Sequence, residues 1–345
     1  MKQRALQNSL GGGAISGHTI FEQIVSLENL FAAWKEFQRG KRKKADVQEF
    51  ELRLEDNVFD LYYALKNGSY QHGGYKSFYV NDPKRRHIHK AAVRDRLLHH
   101  AVVRVLTPIF ERKFIFDSWS CRKGKGTHRA VNRFQKLAWR LSRNNTRTVW
   151  ILKLDIRKCF ESVNHDALML ILSRAIRDDK ALRLLQNIVA SFSRGIPLGN
   201  LTSQLFVNVY LNELDQFIKH PVAHCAIVSP ATGSLSYLRY SDDFVCIHWQ
   251  KEYLMKCIRL IQDFLQKRLR ISLHSDKIVL KQYHRGIDFL GFICFPCFRV
   301  LRTKTKRRML GRVNNKNLAS YSGILRHCRS RGLGAKLRQK LWRRD

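Results

Sequence analysis

The sequence predicts an α+β fold, and three observations predict it. Ser236-Tyr237-Leu238-Arg239 and Phe244-Val245-Cys246-Ile247 are β-prone runs on either side of the polar stretch Tyr240-Ser241-Asp242-Asp243. That is the pattern of a hairpin whose tip presents two adjacent carboxylates. The run Leu152-Lys153-Leu154-Asp155-Ile156 alternates and ends near an acid, and its continuation from Arg157 to Asp166 turns helical, placing Asp155 at the end of a buried strand. Finally, Phe21 to Gly68 carries helical periodicity broken by the basic run Lys41-Arg42-Lys43-Lys44, a basic loop.

The remaining elements follow in chain order. Residues before Phe21 are glycine-rich and are expected to be mobile. A basic stretch, Arg85-Arg86-His87-Ile88-His89-Lys90 followed by Arg94-Asp95-Arg96, precedes Ser120-Cys121-Arg122-Lys123-Gly124-Lys125-Gly126-Thr127-His128. Asp95 and Arg96 have a plain structural alternative, an ion pair fixing the fold. Gly195, Pro197 and Gly199 stiffen and sharpen a turn so that backbone can approach a partner closely, before Leu205, Phe206, Val209 and Leu214 bury one helix face. No acid lies between Asp288 and the terminal Asp345, while Lys304, Lys306, Arg307, Arg308, Arg312, Arg326, Arg329, Arg331, Lys336, Arg338 and Lys340 crowd that stretch. Interleaved Leu301, Leu310, Leu318, Tyr321, Leu325 and Leu337 argue that it folds instead of trailing in solvent.

Charge narrows the partner. A formal net charge of +37 on 345 residues binds phosphate backbones through counterion release. Acidic substrates or membranes could use the same charge, but the chain has no run of about eighteen apolar residues and no charged-then-apolar leader. A cytoplasmic protein with no membrane association is expected. The eight cysteines are scattered apart from Cys294-Phe295-Pro296-Cys297, and a single Cys-x-x-Cys without a second pair does not make a zinc site.

Neighbouring carboxylates repel, so a stiff turn that holds Asp242 beside Asp243 needs a cation, and hard oxygen ligands favour Mg²⁺ or Mn²⁺. An Asp-Asp turn in solvent and a helix-capping Asp155 are the bland alternatives. Together the three carboxylates suffice for two divalent ions, the requirement of nucleotidyl transfer.

On these residues the chain resembles a reverse transcriptase, in motif order from about Arg86 to Gly291. Asp155 and the Tyr240-to-Asp243 box resemble the family's two catalytic palm motifs, and the resemblance implies Asp155, Asp242 and Asp243 as catalytic, with Asp155, Ile156, Asp242 and Asp243 as the metal set. Gly195-Ile196-Pro197-Leu198-Gly199-Asn200-Leu201-Thr202-Ser203-Gln204 resembles the loop-to-helix motif supporting the templating base and incoming nucleotide, so Gly199 and Gln204 join the nucleotide site. Phe289-Leu290-Gly291-Phe292 looks like the primer-grip hairpin, which brings Leu290 and Gly291, with Tyr240, Arg86 and Arg96, into the nucleic-acid site. Phe160, five residues after Asp155, stands where the family places an aromatic gate excluding a ribose 2′-hydroxyl; a core Phe is the alternative. Arg122 and then Lys125, amid glycines, suit a triphosphate. Lys277 stands where the family often has a lysine near the leaving pyrophosphate, a position for general-acid help. The basic tail, with Lys304, Lys306, Arg307 and Arg308, becomes a thumb gripping duplex.

The resemblance implies a right-hand polymerase architecture: an N-terminal helical extension over 1–68, fingers over 69–150, an antiparallel-sheet palm with helices over 151–292 and a basic helical thumb over 293–345. Mg²⁺, with Mn²⁺ possible, is the implied cofactor; template RNA, RNA/DNA heteroduplex and dNTPs are the implied ligands. The chain ends soon after the thumb, which points away from RNase H, integrase or complete intron-encoded forms. Leu198-Gly199-Asn200-Leu201-Thr202-Ser203-Gln204 resembles the signature of diversity-generating retroelements, in which error-prone copying accompanies a small accessory helical-bundle protein. A retron-like or antiphage-defence enzyme is the runner-up, and a non-catalytic RNA-binding scaffold is the alternative from another class. Ser241 replaces the residues usual at that place in the box.

Overall fold

A computed structural model describes residues 19–81, 85–220, 235–330 and 332–342. The glycine-rich N-terminal stretch before Thr19, Arg331 and Asp345 lie outside the described residues. In chain order the first elements are helices α1 (Ile20–Val25), α2 (Leu27–Phe37), α3 (Ala45–Leu52) and α4 (Leu54–Lys66), strands β1 (Tyr75–Val80) and β2 (Arg86–Ala91), and helices α5 (Val93–Glu111) and α6 (Thr127–Leu141). Strand β3 (Trp150–Asp155) is followed by α7 (Cys159–Ser162), α8 (His165–Ser173), α9 (Asp179–Ala190) and α10 (Leu201–Lys219). Then come β4 (Ser236–Tyr240), β5 (Asp243–His248), α11 (Lys251–Leu269), β6 (Val279–Gln282), β7 (Ile287–Phe289), β8 (Phe292–Cys294), β9 (Arg299–Leu301), α12 (Thr303–Arg312), α13 (Leu318–Leu325) and α14 (Leu333–Trp342). Helices and antiparallel sheets are mixed along one chain, as the α+β expectation has it.

The chain forms two compact units, one of residues 1–112 with 165–206 and one of 113–164 with 207–345. The expected segments 69–150 and 151–292 are each divided between them. In the first unit, α1 opens on a capping box: the Thr19 hydroxyl accepts from the Glu22 amide at 3.2 Å, and the Glu22 carboxylate accepts from the Thr19 amide at 2.9 Å. Such a cap is worth about 1 kcal/mol. The apolar faces of α2 (Leu30, Ala33, Trp34, Phe37) and α5 (Leu97, Leu98, Ala101, Val102) are buried, and Asn29 donates from its side chain to the Ala101 carbonyl at 3.1 Å. Between α2 and α3 the basic run makes a short turn, as the broken periodicity predicts. Strands β1 and β2 pair from Tyr75↔Ala91 to Val80↔Arg86.

The second unit holds a four-stranded antiparallel sheet of order β4-β5-β3-β6. Its central strands read as near-continuous apolar runs because both faces are covered: Ile151, Leu152 and Leu154 on β3 and Phe244, Val245, Cys246 and Ile247 on β5 are all buried. The buried face of α6 shares a core cluster with this sheet, with the three-stranded sheet β7-β8-β9 and with the tail helices. Leu301, Leu325 and Leu337 are buried in that cluster, and Leu310, Leu318 and Tyr321 pack against it. The basic tail is therefore folded, since apolar residues at helical spacing tie each of its helices to the core. The seven described cysteines are free thiols, Cys294 buried and Cys297 exposed. No helix among the described residues is long and apolar enough to cross a membrane.

Candidate active site

The register of the second unit's sheet brings two of the three acids together. Antiparallel pairing of β3 with β5 sets Asp155 directly opposite Asp243, and like charges facing each other across two strands are destabilising. Asp242 precedes Asp243 in the turn, and its carbonyl accepts from the Ile156 amide at 3.3 Å, joining the end of β3 to the hairpin tip. The Asp155 carbonyl in turn accepts from the His274 amide at 2.8 Å. Both strand ends are thus fixed by backbone before any side chain acts.

The tip itself is a two-residue loop, closed by the pair Tyr240↔Asp243. Ser241 takes a left-handed conformation with φ of 58°, which costs a non-glycine residue roughly 1–2 kcal/mol. Strain of this kind persists only where the surroundings hold it. Arg239 does the holding. Its side chain is fully buried and donates to the Ser241 carbonyl at 3.2 Å, to both Asp215 oxygens at 2.7 Å, to Asn208 Oδ1 at 3.1 Å and to Ser118 Oγ at 3.1 Å. These contacts use every N–H of the guanidinium. Tyr237 donates to Asp215 Oδ1 at 2.7 Å as well. Backbone hydrogen bonds of 2.9 Å from the Arg239 amide to the Asp117 carbonyl and from the Trp119 amide to the Arg239 carbonyl add the 117–119 segment to the edge of β4. This network was not anticipated from the sequence. Its signal was an Arg on the inward phase of an apolar strand and a lone Asp215 among Leu211, Leu214 and Ile218.

Burial pushes the Asp242 and Asp243 carboxyls up from the ordinary range, and the other site carboxylates push in the same direction. Two ammonium groups offset part of this: Lys277 Nζ lies 2.6 Å from Asp155 Oδ1, and Lys153 Nζ lies 3.4 Å from Asp243 Oδ1. Among the described residues no group of three or more His, Cys, Asp or Glu side chains is drawn into metal-holding geometry. The donor set nevertheless fits a divalent ion in its chemistry, with hard oxygens, excess negative charge and carboxyls that resist ionising without a cation.

The other expected residues are placed as follows. Phe160 sits on α7, which is preceded by the left-handed Lys158, and it is half-buried. Arg122 donates to the Ile115 and Ser118 carbonyls, both at 2.7 Å. Lys125 donates to the Phe116 carbonyl at 2.7 Å and lies 3.7 Å from the centre of the Phe116 ring. Both cations pin the loop that leads into β4's edge segment. Tyr240 meets Thr127 through their hydroxyls at 3.0 Å. Leu290 and Gly291 form the tip of the β7–β8 hairpin with φ of 48° and 90°, and Lys304, Lys306 and Arg307 are exposed on α12 while Arg308 is half-buried.

Four expected residues belong to the first unit. Arg86 is exposed at the start of β2. Arg96 pairs with Asp46 and stacks 5.0 Å from the Phe37 ring centre, whereas Asp95 accepts from Tyr70 at 2.7 Å and from the Gly73 amide at 3.1 Å. The pairing of Asp95 with Arg96 considered from sequence is replaced by these separate partners, because neighbouring helical residues point to different faces. Gly199, at φ of 125°, would place a Cβ 2.9 Å from the His89 carbonyl, and Leu198 accepts from the His89 amide at 2.9 Å. The loop therefore needs glycine to lie against β2. Gln204 is exposed in the first turn of α10.

The family model for reverse transcriptase (RNA-dependent DNA polymerase) matches residues 80–294, more than half of the chain. The chain belongs to the reverse transcriptase family. It is 27% identical over 261 residues to Protein YkfC of Escherichia coli K12, covering 66% of this chain and 68% of that one. It is 22% identical over 331 residues to the group II intron-encoded protein LtrA of Lactococcus lactis subsp. cremoris, covering 76% of this chain and 53% of LtrA. Among solved structures, apo telomerase from Candida tropicalis superposes with a TM-score of 0.51 at 14% identity, over 72% of this chain and 52% of the other. This reverse transcriptase family chain thus spans about half the length of LtrA and of that telomerase, and the latter likeness extends to the polymerase fold. Family members use divalent metal ions.

Proposed function

We propose that the chain is an RNA-directed DNA polymerase that copies a structured template RNA into cDNA by two-metal nucleotidyl transfer. The observation that carries this reading is the β3–β5 register, which sets Asp155 against Asp243 with Asp242 at the adjoining tip. Asp155, Asp242 and Asp243, with Ile156 beside them, would hold the divalent ions, Mg²⁺ or Mn²⁺, which when bound activate the primer 3′-hydroxyl and stabilise the leaving pyrophosphate. Lys277, already at the carboxylates, would supply a proton to the leaving group. Phe160 would lie beneath the nucleotide sugar, Arg122, Lys125, Gly199 and Gln204 would bind the nucleotide, and Arg86, Arg96, Tyr240, Leu290, Gly291 and the α12 cations would bind template and heteroduplex. The division into an N-terminal extension (1–68), fingers (69–150), palm (151–292) and thumb (293–345), and a cytoplasmic location, belong to the same reading.

Primer extension on an RNA template with dNTPs and Mg²⁺ tests it. The expected result is full-length cDNA that disappears with chelator; RNA binding without extension would return the chain to the scaffold class. In the same assay Phe160→Ala should raise rNTP incorporation relative to dNTP by about tenfold or more, the scale of about 1.4 kcal/mol of lost discrimination. Unchanged sugar selectivity would make Phe160 a packing residue.

Within the family we propose the diversity-generating type with an accessory helical-bundle partner, on the strength of the Leu198-to-Gln204 stretch. A second reading, an intron-type retroelement enzyme, is favoured by the similarity to LtrA. The first expects misincorporation opposite template adenine well above that opposite cytosine, with Leu198→Gln reducing the difference. Adenine copied as accurately as the other bases, with the partner present, would favour the second.

A further inference from the structure

Helix α6 buries Ala130, Val131, Phe134, Leu137 and Ala138 and leaves a solvent face of one sign. Arg129, Asn132, Lys136, Trp139, Arg140 and, just beyond the helix, Arg143 are exposed, at the three- and four-residue spacing that aligns them along one side. No Asp or Glu occurs between Asp117 and Asp155. The one inward-leaning cation of the helix, Arg133, is bound by Asp117 at 2.7 and 3.0 Å. Among the described residues Lys136, Arg140 and Arg143 form no ion pair. The neighbouring β9 adds another cation, since Arg299 donates to Asn132 Oδ1 at 2.7 Å. Trp139 is 49% exposed, and its indole N–H is held by the side chain of Asn144. A ring pinned outward among uncompensated cations is an unfavourable surface for a protein with no partner there.

We propose that this face of α6 docks the phosphate backbone of folded RNA. The inference goes beyond the polymerase reading and does not require it. Complementarity of charge selects the partner. From Arg129 to Arg140 the helix rises about 16 Å, a length over which one strand of a duplex presents about five phosphates, and Trp139 offers a stacking platform to an unpaired base beside them. An anionic membrane would also attract the charge, but an interfacial helix must insert its apolar face, and here that face is part of the core.

The test is a binding titration on the full chain without dNTPs, using an RNA hairpin, an RNA/DNA heteroduplex, phosphatidylserine vesicles and polyglutamate as probes. The variant Lys136→Gln/Arg140→Gln/Arg143→Gln removes three cations whose side chains make no ion pair. It should weaken hairpin binding by about 10- to 100-fold near 100 mM salt and flatten the slope of log K against log salt by about two to three units. The charge-keeping variant Lys136→Arg/Arg140→Lys/Arg143→Lys should keep the slope. Trp139→Ala should lower affinity and leave the slope in place. Equal losses on hairpin and heteroduplex would mean that any duplex backbone is held, whereas a loss confined to the hairpin identifies the folded template; both support the proposal. Thermal unfolding of each variant separates lost binding from lost fold. Unchanged RNA affinity and slope in the glutamine variant, including the case where vesicle or polyglutamate binding falls instead, would overturn it. Because no nucleotide is added, this failure is distinct from a failure to extend primers.

Discussion

Asp242→Asn/Asp243→Asn is expected to lower RNA-templated DNA synthesis by more than about 10³-fold, equivalent to about 4 kcal/mol of transition-state stabilisation, while RNA binding stays within a few-fold of wild type. The split follows from where each free energy resides. On the proposed reading RNA affinity comes from dispersed cations, which this substitution leaves in place, whereas the metal-dependent step rests on the carboxylates. The same double substitution should raise thermal stability in the presence of chelator. Burial lifts both carboxyls above their ordinary values, so the folded state holds more protons than the unfolded state between the ordinary and the lifted pKa. Stability of the metal-free wild type therefore falls as pH rises through that window and stays lower above it. Asn removes the charge and with it this loss. Added Mg²⁺ should then raise the melting temperature of the wild type through binding to the folded state and leave the variant unmoved. The measurements are primer extension, RNA titration and thermal unfolding at pH 7 with chelator or Mg²⁺. Undiminished synthesis by the variant would remove these residues from the site.

Much of this unit was legible because its signals are local. The Tyr240-to-Asp243 turn, the apolar runs beside it and the strand ending at Asp155 each follow from period and turn chemistry within about ten residues, and the matched family segment, 80–294, brackets the motifs that suggested it. The tail's folding was legible from Leu301, Leu310, Leu318, Tyr321, Leu325 and Leu337, apolar residues interleaved among its cations. What was not legible depends on tertiary partners. Arg122 and Lys125 also donate to carbonyls of the 115–118 segment, partners that their glycine-flanked sequence does not announce. Arg96 finds Asp46, fifty positions away, instead of its neighbour. The Arg239–Asp215 pair spans a helix and a strand separated by the undescribed stretch 221–234, and no local rule joins the two.

That pair supplies the second large expectation. Asp215→Ala should cost about 3–5 kcal/mol of stability, since it leaves the Arg239 guanidinium charged and buried without its counter-ion. Arg239→Met/Asp215→Ala should recover part of the loss, because the buried charge goes, although Asn208, Ser118 and Tyr237 each lose a hydrogen-bond partner worth about 1–3 kcal/mol when left unsatisfied. Synthesis should not recover with stability. Arg239 is a positioning residue whose donor ends on the Ser241 carbonyl, and in the double variant the left-handed turn that carries Asp242 loses this side-chain anchor and keeps only its backbone bonds. The two readouts therefore separate. Chemical denaturation of the four proteins of the cycle gives the coupling energy of the pair, and primer extension across a Mg²⁺ series gives the apparent metal affinity, which should weaken in both variants lacking Arg239. A conservative Arg239→Lys variant keeps the charge but offers three donors from a single point in place of the planar fork, so it should keep more stability than Arg239→Met and regain little metal affinity. A double variant that extends primers at the wild-type rate and Mg²⁺ dependence would show that the turn holds its geometry unaided, and would reduce Arg239 to a component of the core.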